Sequence, residues 1–351
     1  MGVVAIVSIW EMFGRVARHE SAPAAQIRIP DGHIIGSASA SGAGPAGVIS
    51  PAASYFTVTI DNMGLDYDRV GTRVFDPMLL TLTDYLYDGK VVSVPFMVSP
   101  KMLPAATDGL PRGMIFANTC VAGPHPYYGR LGVAVVLYRV ERDDYARRLL
   151  DAAHRACAAF DVTGSVAAYI KMADAVLDGV DAVLGHAKTE PLLGFRGEFT
   201  GQAEAGTFAV LPEGRRAEEL WLADGVLSSG APDTRAPVTG INHITYTVRA
   251  APPVDLTTMP WFSLLWQRIV QWADIPNDEA KSVAQTYLGA LYEELLTSPD
   301  IARETVDTIY AYWENEARNI HAKARRRVSW GPAELKSDPV RERVLQIREP
   351  W

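Results

Sequence analysis

Short runs of apolar residues, many of them alternating with polar ones, recur along the first 250 residues and are typical of β-strands. The turn residues Gly, Pro, Asp and Asn separate these runs at short intervals. Several short strands with frequent turns indicate an antiparallel sandwich. The segments with strand patterns are residues 1–14, 55–60, 78–87, 91–98, 132–140, 193–199, 206–211, 219–222 and 242–248.

Three turn signals predict which of these segments pair. Asp88-Gly89 stands between two apolar runs and predicts a two-residue hairpin turn. Asp224-Gly225 predicts a second turn. Residues 26–30 and 32–35 flank a Pro-Asp-Gly turn, so we expect them to form a short strand pair. The continuous apolar run at 132–140 is predicted to be a central strand.

Helical spacing replaces the strand pattern in two parts of the chain. Residues 143–186 carry apolar positions three and four residues apart and predict an inserted helical hairpin. After Pro260, a helix is expected over residues 261–272. Asn277 is a favourable cap for a helix that reaches about residue 296. A last helix is predicted to begin at Ser298-Pro-Asp and to end near Arg327.

These elements predict the α+β class. Residues 1–250 are predicted to form an antiparallel β-sandwich-like domain that carries the helical hairpin at about 143–186. Residues 251–330 are predicted to form a C-terminal helical domain. Residues 331–351, with two prolines and many charges, are expected to extend over the surface.

The composition is typical of a folded protein and argues against several functional classes. The chain has 351 residues, of which 48% are hydrophobic, so a large core is expected. A net charge of −8 argues against a general nucleic-acid binder, which would neutralise phosphates with Lys and Arg. The two cysteines cannot build a disulfide framework, and the apolar start lacks the basic region of a secretory signal. No apolar run reaches the length of a membrane helix, and we therefore expect a soluble, cytoplasmic protein.

One cysteine, Cys120, precedes His125 by five residues. A thiol and an imidazole within hydrogen-bond reach can act as a nucleophile and its base, and Gly123-Pro124 between them predicts a turn. The competing interpretation is that Cys120 is a small buried hydrophobe and that His125 lies on a surface loop.

The same two residues also admit a metal-site hypothesis. His154 and Cys157 lie three residues apart on a predicted helix and so project from one side of it. With Cys120 and His125 they would supply the Cys2His2 ligands of tetrahedral zinc. The spacing is unfamiliar, and Cys157 also fits the apolar face of its helix.

Acidic residues around position 65 suggest another cation. Asp61, Asp66 and Asp68 follow a predicted strand, and oxygen-rich loops at the rim of a sandwich can bind calcium. A second acidic loop, near Asp84 and Asp88, would have to converge on them, whereas turn-forming aspartates need no such partner.

The C-terminal helices combine aromatic and basic residues. Such residues mostly fill a core or solvate a helix end, but they also dominate protein-binding hot spots. The residues that we single out as candidates for partner binding are Trp261, Trp266, Trp313, Arg318, Arg325, Arg326 and Arg327.

No catalytic motif or nucleotide fingerprint occurs in the sequence, and it predicts no cofactor. The hypothesis that the sequence favours is a non-enzymatic protein-binding or scaffold component of a multi-protein assembly, which binds other proteins or itself. The first alternative is a hydrolase or transferase that uses Cys120 and His125. The second is a calcium-regulated module that binds a membrane surface.

Overall fold

The computed structural model describes residues 24–36, 47–98, 114–141 and 189–329. The predicted strand at 1–14, the helical hairpin at 143–186 and the tail at 331–351 lie outside these residues. The described strands are β1 (Ala24–Ile29), β2 (Ile34–Ile35), β3 (Val48–Ile49), β4 (Tyr55–Gly64), β5 (Arg69–Val70), β6 (Arg73–Tyr87), β7 (Lys90–Val98), β8 (Met114–Pro126), β9 (Arg130–Glu141), β10 (Thr189–Thr200), β11 (Ala203–Glu204), β12 (Gly206–Pro212), β13 (Leu220–Ala223), β14 (Val226–Ser229), β15 (Ala236–Pro237) and β16 (His243–Ala251).

Three α-helices follow the strands: α1 (Pro260–Ala273), α2 (Asp278–Thr297) and α3 (Val306–Ser329). The predicted α+β class, with antiparallel sheets followed by a C-terminal helical region, is therefore confirmed. The chain divides into two compact units, Met1–Pro253 and Val254–Trp351, which we call the β unit and the helical unit.

Two large sheets build the described part of the β unit. The first sheet has the strand order β1-β12-β16-β4-β8, and the second has the order β10-β9-β6, with both β5 and β7 paired to β6. Apolar side chains from both sheets share one core, as in a sandwich. The first sheet contributes Phe56, Val58, Ile60, Val121, Val210, Ile244, Tyr246 and Val248, and the second contributes Leu79, Tyr85, Val94, Val98, Val133, Val135, Leu137 and Leu193.

Strand β9 is central, as its apolar run predicts. It pairs with β6 on one side and with β10 on the other. Both of its faces are buried, because Val135 and Val136 are 0% and 2% exposed. A strand covered on both faces needs no polar alternation, which explains the continuous run.

Both Asp-Gly turns are confirmed. Tyr87 pairs with Lys90 across the first turn, and Ala223 pairs with Val226 across the second. In each turn the aspartate and the glycine have positive φ, 49° and 68° in the first and 50° and 78° in the second. This is the backbone of a type I′ turn, whose twist matches that of the paired strands.

The predicted pairing of residues 26–30 with 32–35 is wrong. Strand β1 pairs with β12 in the first sheet, whereas β2 pairs in parallel with β13 in a small sheet of order β15-β14-β13-β2. The Pro-Asp-Gly segment leads into a 3-10 turn at Asp31–His33 rather than a hairpin. The chain thereby passes from one sheet to another, and long-range pairing overrides the local turn signal.

Helices α1 and α2 begin where the sequence predicts. Pro260 lies in the first turn of α1, and the side chain of Asn277 accepts a 2.7 Å hydrogen bond from the backbone N–H of Ala280 at the start of α2. Helix α3, however, begins at Val306 and not at residue 298. Ser298 is extended, as a residue before proline tends to be, and Ile301 and Ala302 are then fully buried before the helix starts.

Helices α2 and α3 are antiparallel neighbours, as predicted. At one end the hydroxyl of Tyr292 donates to Asp307 at 2.9 Å, and at the other end Arg325 donates to Asp278 at 2.7 Å. The short connection between the two helices allows this arrangement.

Candidate functional site

Cys120 lies on β8, opposite Thr59 of β4, and its side chain is exposed. The thiol donates to the backbone carbonyl of Ala122 at 3.3 Å. The surrounding protein desolvates the sulfur enough to raise the pKa of the thiol. Because the thiolate is the nucleophilic form, this environment does not activate Cys120 at neutral pH.

Gly123-Pro124 does not turn the chain, so that prediction is wrong. Both residues belong to β8, and their peptide bond is cis. The register moves from Val58 opposite Ala122 to Phe56 opposite His125, so β8 carries an extra residue there. Gly123 has φ +94°, and a side chain at this position would collide with the Phe56 carbonyl oxygen. The glycine therefore permits a bulge rather than a turn.

His125 is part of the sandwich and not of a surface loop, which corrects the second interpretation. It is 3% exposed and stacks on the ring of Tyr85 at a centroid distance of 4.8 Å. Burial lowers the pKa of His125 to about 4. A base is most effective when its pKa lies near the working pH, so this environment does not favour His125 as the base of a nucleophilic pair.

The zinc hypothesis rests partly on His154 and Cys157, which lie outside the described residues. Within the described ranges, no three His, Cys, Asp or Glu side chains form a group that could hold a metal ion. Cys120 and His125 lie on the same strand in different surroundings, one exposed and one buried.

The three aspartates of the calcium hypothesis also differ in their surroundings. Asp61 is not in a loop but in β4, where it is 3% exposed. Asp66 and Asp68 follow the strand, and the Asp66 carboxylate accepts a hydrogen bond from the N–H of the next residue, Tyr67. Asp84 lies in β6 and accepts a 2.5 Å hydrogen bond from Ser93.

A buried polar network around Asp61 is a feature that the sequence analysis missed. Asp61 occupies a bulge in β4, since Ile60 and Asn62 pair with consecutive residues of β16. The hydroxyl of Thr247 donates to its carboxylate at 2.6 Å, and Thr207 lies 2.9 Å from the Thr247 hydroxyl. Burial raises the pKa of Asp61 to about 7, although Thr247 and the charge of Arg249 act in the opposite direction.

Cross-strand pairing extends this network toward the protein surface. Thr207 pairs with Thr247, Thr247 with Thr59, and Thr59 with Cys120, so the four side chains form one row across four strands. Exposure rises along the row, from buried Thr207 to exposed Cys120. In the sequence, the alternation of Thr245 and Thr247 with apolar residues was the one sign of this polar row. The same alternation is equally typical of a strand face that points to solvent.

A second buried polar pair involves His243, four residues before Thr247 on β16. One ring nitrogen of His243, Nε2, lies 2.8 Å from Asn62 Oδ1, and the other, Nδ1, lies 3.2 Å from the Ile241 carbonyl. Burial lowers the pKa of His243 to about 4, so the ring is neutral at pH 7. Both polar groups stabilise a bulged, closely packed region of the first sheet.

The tryptophans of the helical unit pack around its core and also reach solvent. Phe262 is 1% exposed, and the ring of Trp313 lies 4.7 Å from it and 4.6 Å from Trp266. Trp261, Trp266 and Trp313 are each half-buried. The tryptophans therefore have a structural role, and part of each remains available at the surface.

Two apolar side chains of the helical unit are far more exposed than its tryptophans. Leu264 of α1 is 67% exposed, and Tyr312 of α3 is 64% exposed. The Tyr312 ring meets the edge of Trp313 at 5.1 Å. Leu264 follows Trp261 by three residues, which places both on one side of α1.

The predicted basic residues form ion pairs within the helical unit. Arg318 pairs with Glu314 at 2.7 Å on α3 itself. Arg325 pairs with Asp278 at 2.7 Å, and Arg327 pairs with Asp274 at 2.9 Å. The basic end of α3 is therefore partly neutralised where it meets α1 and α2, and Arg326 is exposed beside it.

Among the described helices, none combines the length and the apolar character that crossing a membrane requires. The chain matches no family model, no curated protein and no solved structure.

Proposed function

We propose that this chain is a non-enzymatic, protein-binding component of a cytoplasmic multi-protein assembly and that the helical unit is its binding surface. The observation that carries the proposal is the exposure of Leu264 and Tyr312, at 67% and 64%. They are the two most exposed of the large hydrophobic side chains in the described residues.

Binding would remove this apolar area from water. Burying an exposed leucine side chain contributes about 1.5–3 kcal/mol, and aromatic residues in contact with other aromatics are frequent hot spots. Tyr312 rests on Trp313, and Leu264 lies one turn from Trp261, so each exposed residue has a half-buried tryptophan beside it. At both places a partner would contact an exposed apolar side chain that is supported by a tryptophan.

The charged residues around these anchors suit the rim of such a surface. Arg318, Arg325 and Arg327 are exposed by 71%, 53% and 66% and are held by ion pairs. Charges at a rim mainly affect the rate and the specificity of association. The surroundings of Cys120 and His125 support the non-enzymatic part of the proposal, because the pKa of the thiol is raised and that of the imidazole is lowered.

The test is affinity purification of the tagged full chain from its source cells, followed by mass spectrometry. Tyr312→Glu should reduce the recovery of specific partners at least tenfold, since it places a charge in the apolar contact. Val91→Glu is the matched control, because Val91 is 46% exposed on β7 of the β unit, and its partners should be retained. Equal recovery by the wild type and Tyr312→Glu, or no specific partner for the wild type, would overturn the proposal.

A further inference from the structure

One side of α1 carries a strip of residues that its packing on the other helices leaves in contact with solvent. Trp261, Leu264, Leu265 and Arg268 are spaced by three, four and seven residues, so they lie on one helix face. Leu264 is 67% exposed, Arg268 is exposed, and Trp261 and Leu265 are half-buried. We call these four residues the α1 strip.

Arg268 is the single charged residue of α1. Its guanidinium lies 3.5 Å from the Gln271 side-chain oxygen, and within the described residues it forms no ion pair with a carboxylate. Arg325 and Arg327, in contrast, each pair with an aspartate of the same unit. The cation of the α1 strip is therefore available to a partner group.

The α1 strip is complementary to a second copy of itself. Its order along the helix is an aromatic ring, two leucines and a cation. In an antiparallel pair of such helices, each ring faces the cation of the other copy, and the leucines meet at the centre. A guanidinium over a tryptophan ring is a favourable contact, and a twofold axis makes it twice.

We propose that the α1 strip binds the α1 strip of a second copy of this chain, antiparallel, about a twofold axis between Leu264 and Leu265. This inference rests on the proposed function, since it takes the helical unit as the binding surface, and it goes further by naming the partner. Two Trp261–Arg268 contacts flank a leucine centre in this dimer. No acidic partner is required to satisfy Arg268.

The first test measures the mass of the purified full chain by sedimentation velocity over a concentration series. The wild type should shift toward twice its chain mass of 38.2 kDa as concentration rises. Leu264→Glu should raise the dissociation constant at least tenfold, because two carboxylates would meet at the axis. Arg268→Ala should raise it about two- to fivefold, and Arg268→Lys less, since an ammonium also binds a ring.

Leu296→Glu is the matched control, because Leu296 is 48% exposed on α2, and it should leave the dimer unchanged. A wild type that remains monomeric throughout the series would overturn the proposal. Retention of the dimer by Leu264→Glu would overturn it as well.

The second test fixes the orientation through cysteines, in a Cys120→Ser/Cys157→Ser background. Leu264→Cys, next to the axis, should cross-link to itself under mild oxidation. Gln271→Cys should not, because the two copies of position 271 would be separated by about 20 Å at 1.5 Å per residue. Cross-linking at both positions would indicate a parallel pair, and no cross-link at position 264 would leave the two strips unpaired; either result would overturn the antiparallel dimer.

The two proposals fail in different ways. A monomeric chain that still recovers partners through Tyr312 would overturn the dimer and leave the proposed function in place. A dimer that recovers no other protein, whether or not Tyr312 is changed, would overturn the assembly role and leave the dimer in place.

Discussion

The two units of this chain differ in which titratable side chains they bury and in how far their most exposed apolar side chains reach into solvent. The β unit encloses titratable side chains, since Asp61, His125 and His243 are each 3% exposed or less. The helical unit places its charges at the surface and leaves apolar groups there as well, with Leu264 at 67% exposure and Tyr312 at 64%.

The difference follows from how much each unit can bury. The two sheets of the β unit share a large core and cover even polar residues, which must then be hydrogen-bonded to one another. Three helices enclose a smaller core, and a small unit leaves a larger share of its surface in water. Polar groups inside the sandwich therefore stabilise the fold through their hydrogen bonds. The exposed apolar side chains on the outer surface of the helices are, in contrast, available for binding.

The largest expected effect separates the two kinds of apolar residue within α1. Phe262→Ala should lower the free energy of unfolding by about 3–5 kcal/mol, because it removes a buried ring that touches Trp266 and Trp313. At concentrations where the chain is monomeric, Leu264→Ala, two residues away, should change it by less than about 0.5 kcal/mol. Urea unfolding of the full chain measures both, and similar costs for the two substitutions would contradict the contrast between core and surface.

The next largest effect concerns the ionisation of the buried carboxyl group of Asp61 in the β unit. Burial raises the pKa of Asp61 from 3.8 to about 7, so the folded state holds a proton that the unfolded state has released between these values. This contribution to stability is fully present below pH 3.8 and is lost as the pH rises through 7. The loss amounts to at most about 4 kcal/mol, at 1.36 kcal/mol per pKa unit.

Asp61→Asn should therefore match the wild type near pH 4 and be more stable than it at pH 8, since its amide oxygen still accepts from Thr247. Thermal unfolding at the two pH values provides the measurement. Asp66→Asn, which replaces an aspartate outside the buried network, is the control for the substitution itself. If the wild type and Asp61→Asn are equally stable at pH 8, the ionisation of Asp61 does not destabilise the folded state, and the expectation is wrong.

The smallest effect concerns the surface charges of the helical unit. Arg327→Ala should lower the free energy of unfolding by about 0.2–1 kcal/mol, because its pair with Asp274 is exposed to water and ions. The cost should shrink further in 1 M salt. Chemical denaturation at low and high salt measures it, and a cost above about 2 kcal/mol would place this pair in the same class as the buried network around Asp61.

Much of the fold could be predicted where the signal is local. Asp88-Gly89 and Asp224-Gly225 form the turns that their own backbone preferences favour, and Asn277 caps the helix that follows it. Each of these features depends on residues within a few positions of one another. Local signals also misled, because Pro30-Asp31-Gly32 has turn chemistry but the strands on either side pair with distant partners.

The candidate site was harder to predict than the fold. Cys120 and His125 look like a reactive pair in the sequence, yet they lie on one strand with Cys120 exposed and His125 in the core. Asp61 looks like a loop ligand, yet it is hydrogen-bonded to Thr247, 186 positions away. A residue's chemistry depends on its pKa and its exposure, and both are set by neighbours that the sequence does not place beside it.

The sequence by itself determined the two Asp-Gly hairpin turns, the starts of α1 and α2, and which strand is apolar on both faces, since these follow from backbone preference and periodicity. Only the tertiary structure decided which polar residues are buried and which apolar residues stay exposed. The physical reason is that burial depends on packing between segments far apart in the chain. His243 and Asn62 meet across 181 positions to form a buried pair, while Leu264, in an apolar helix, remains in water.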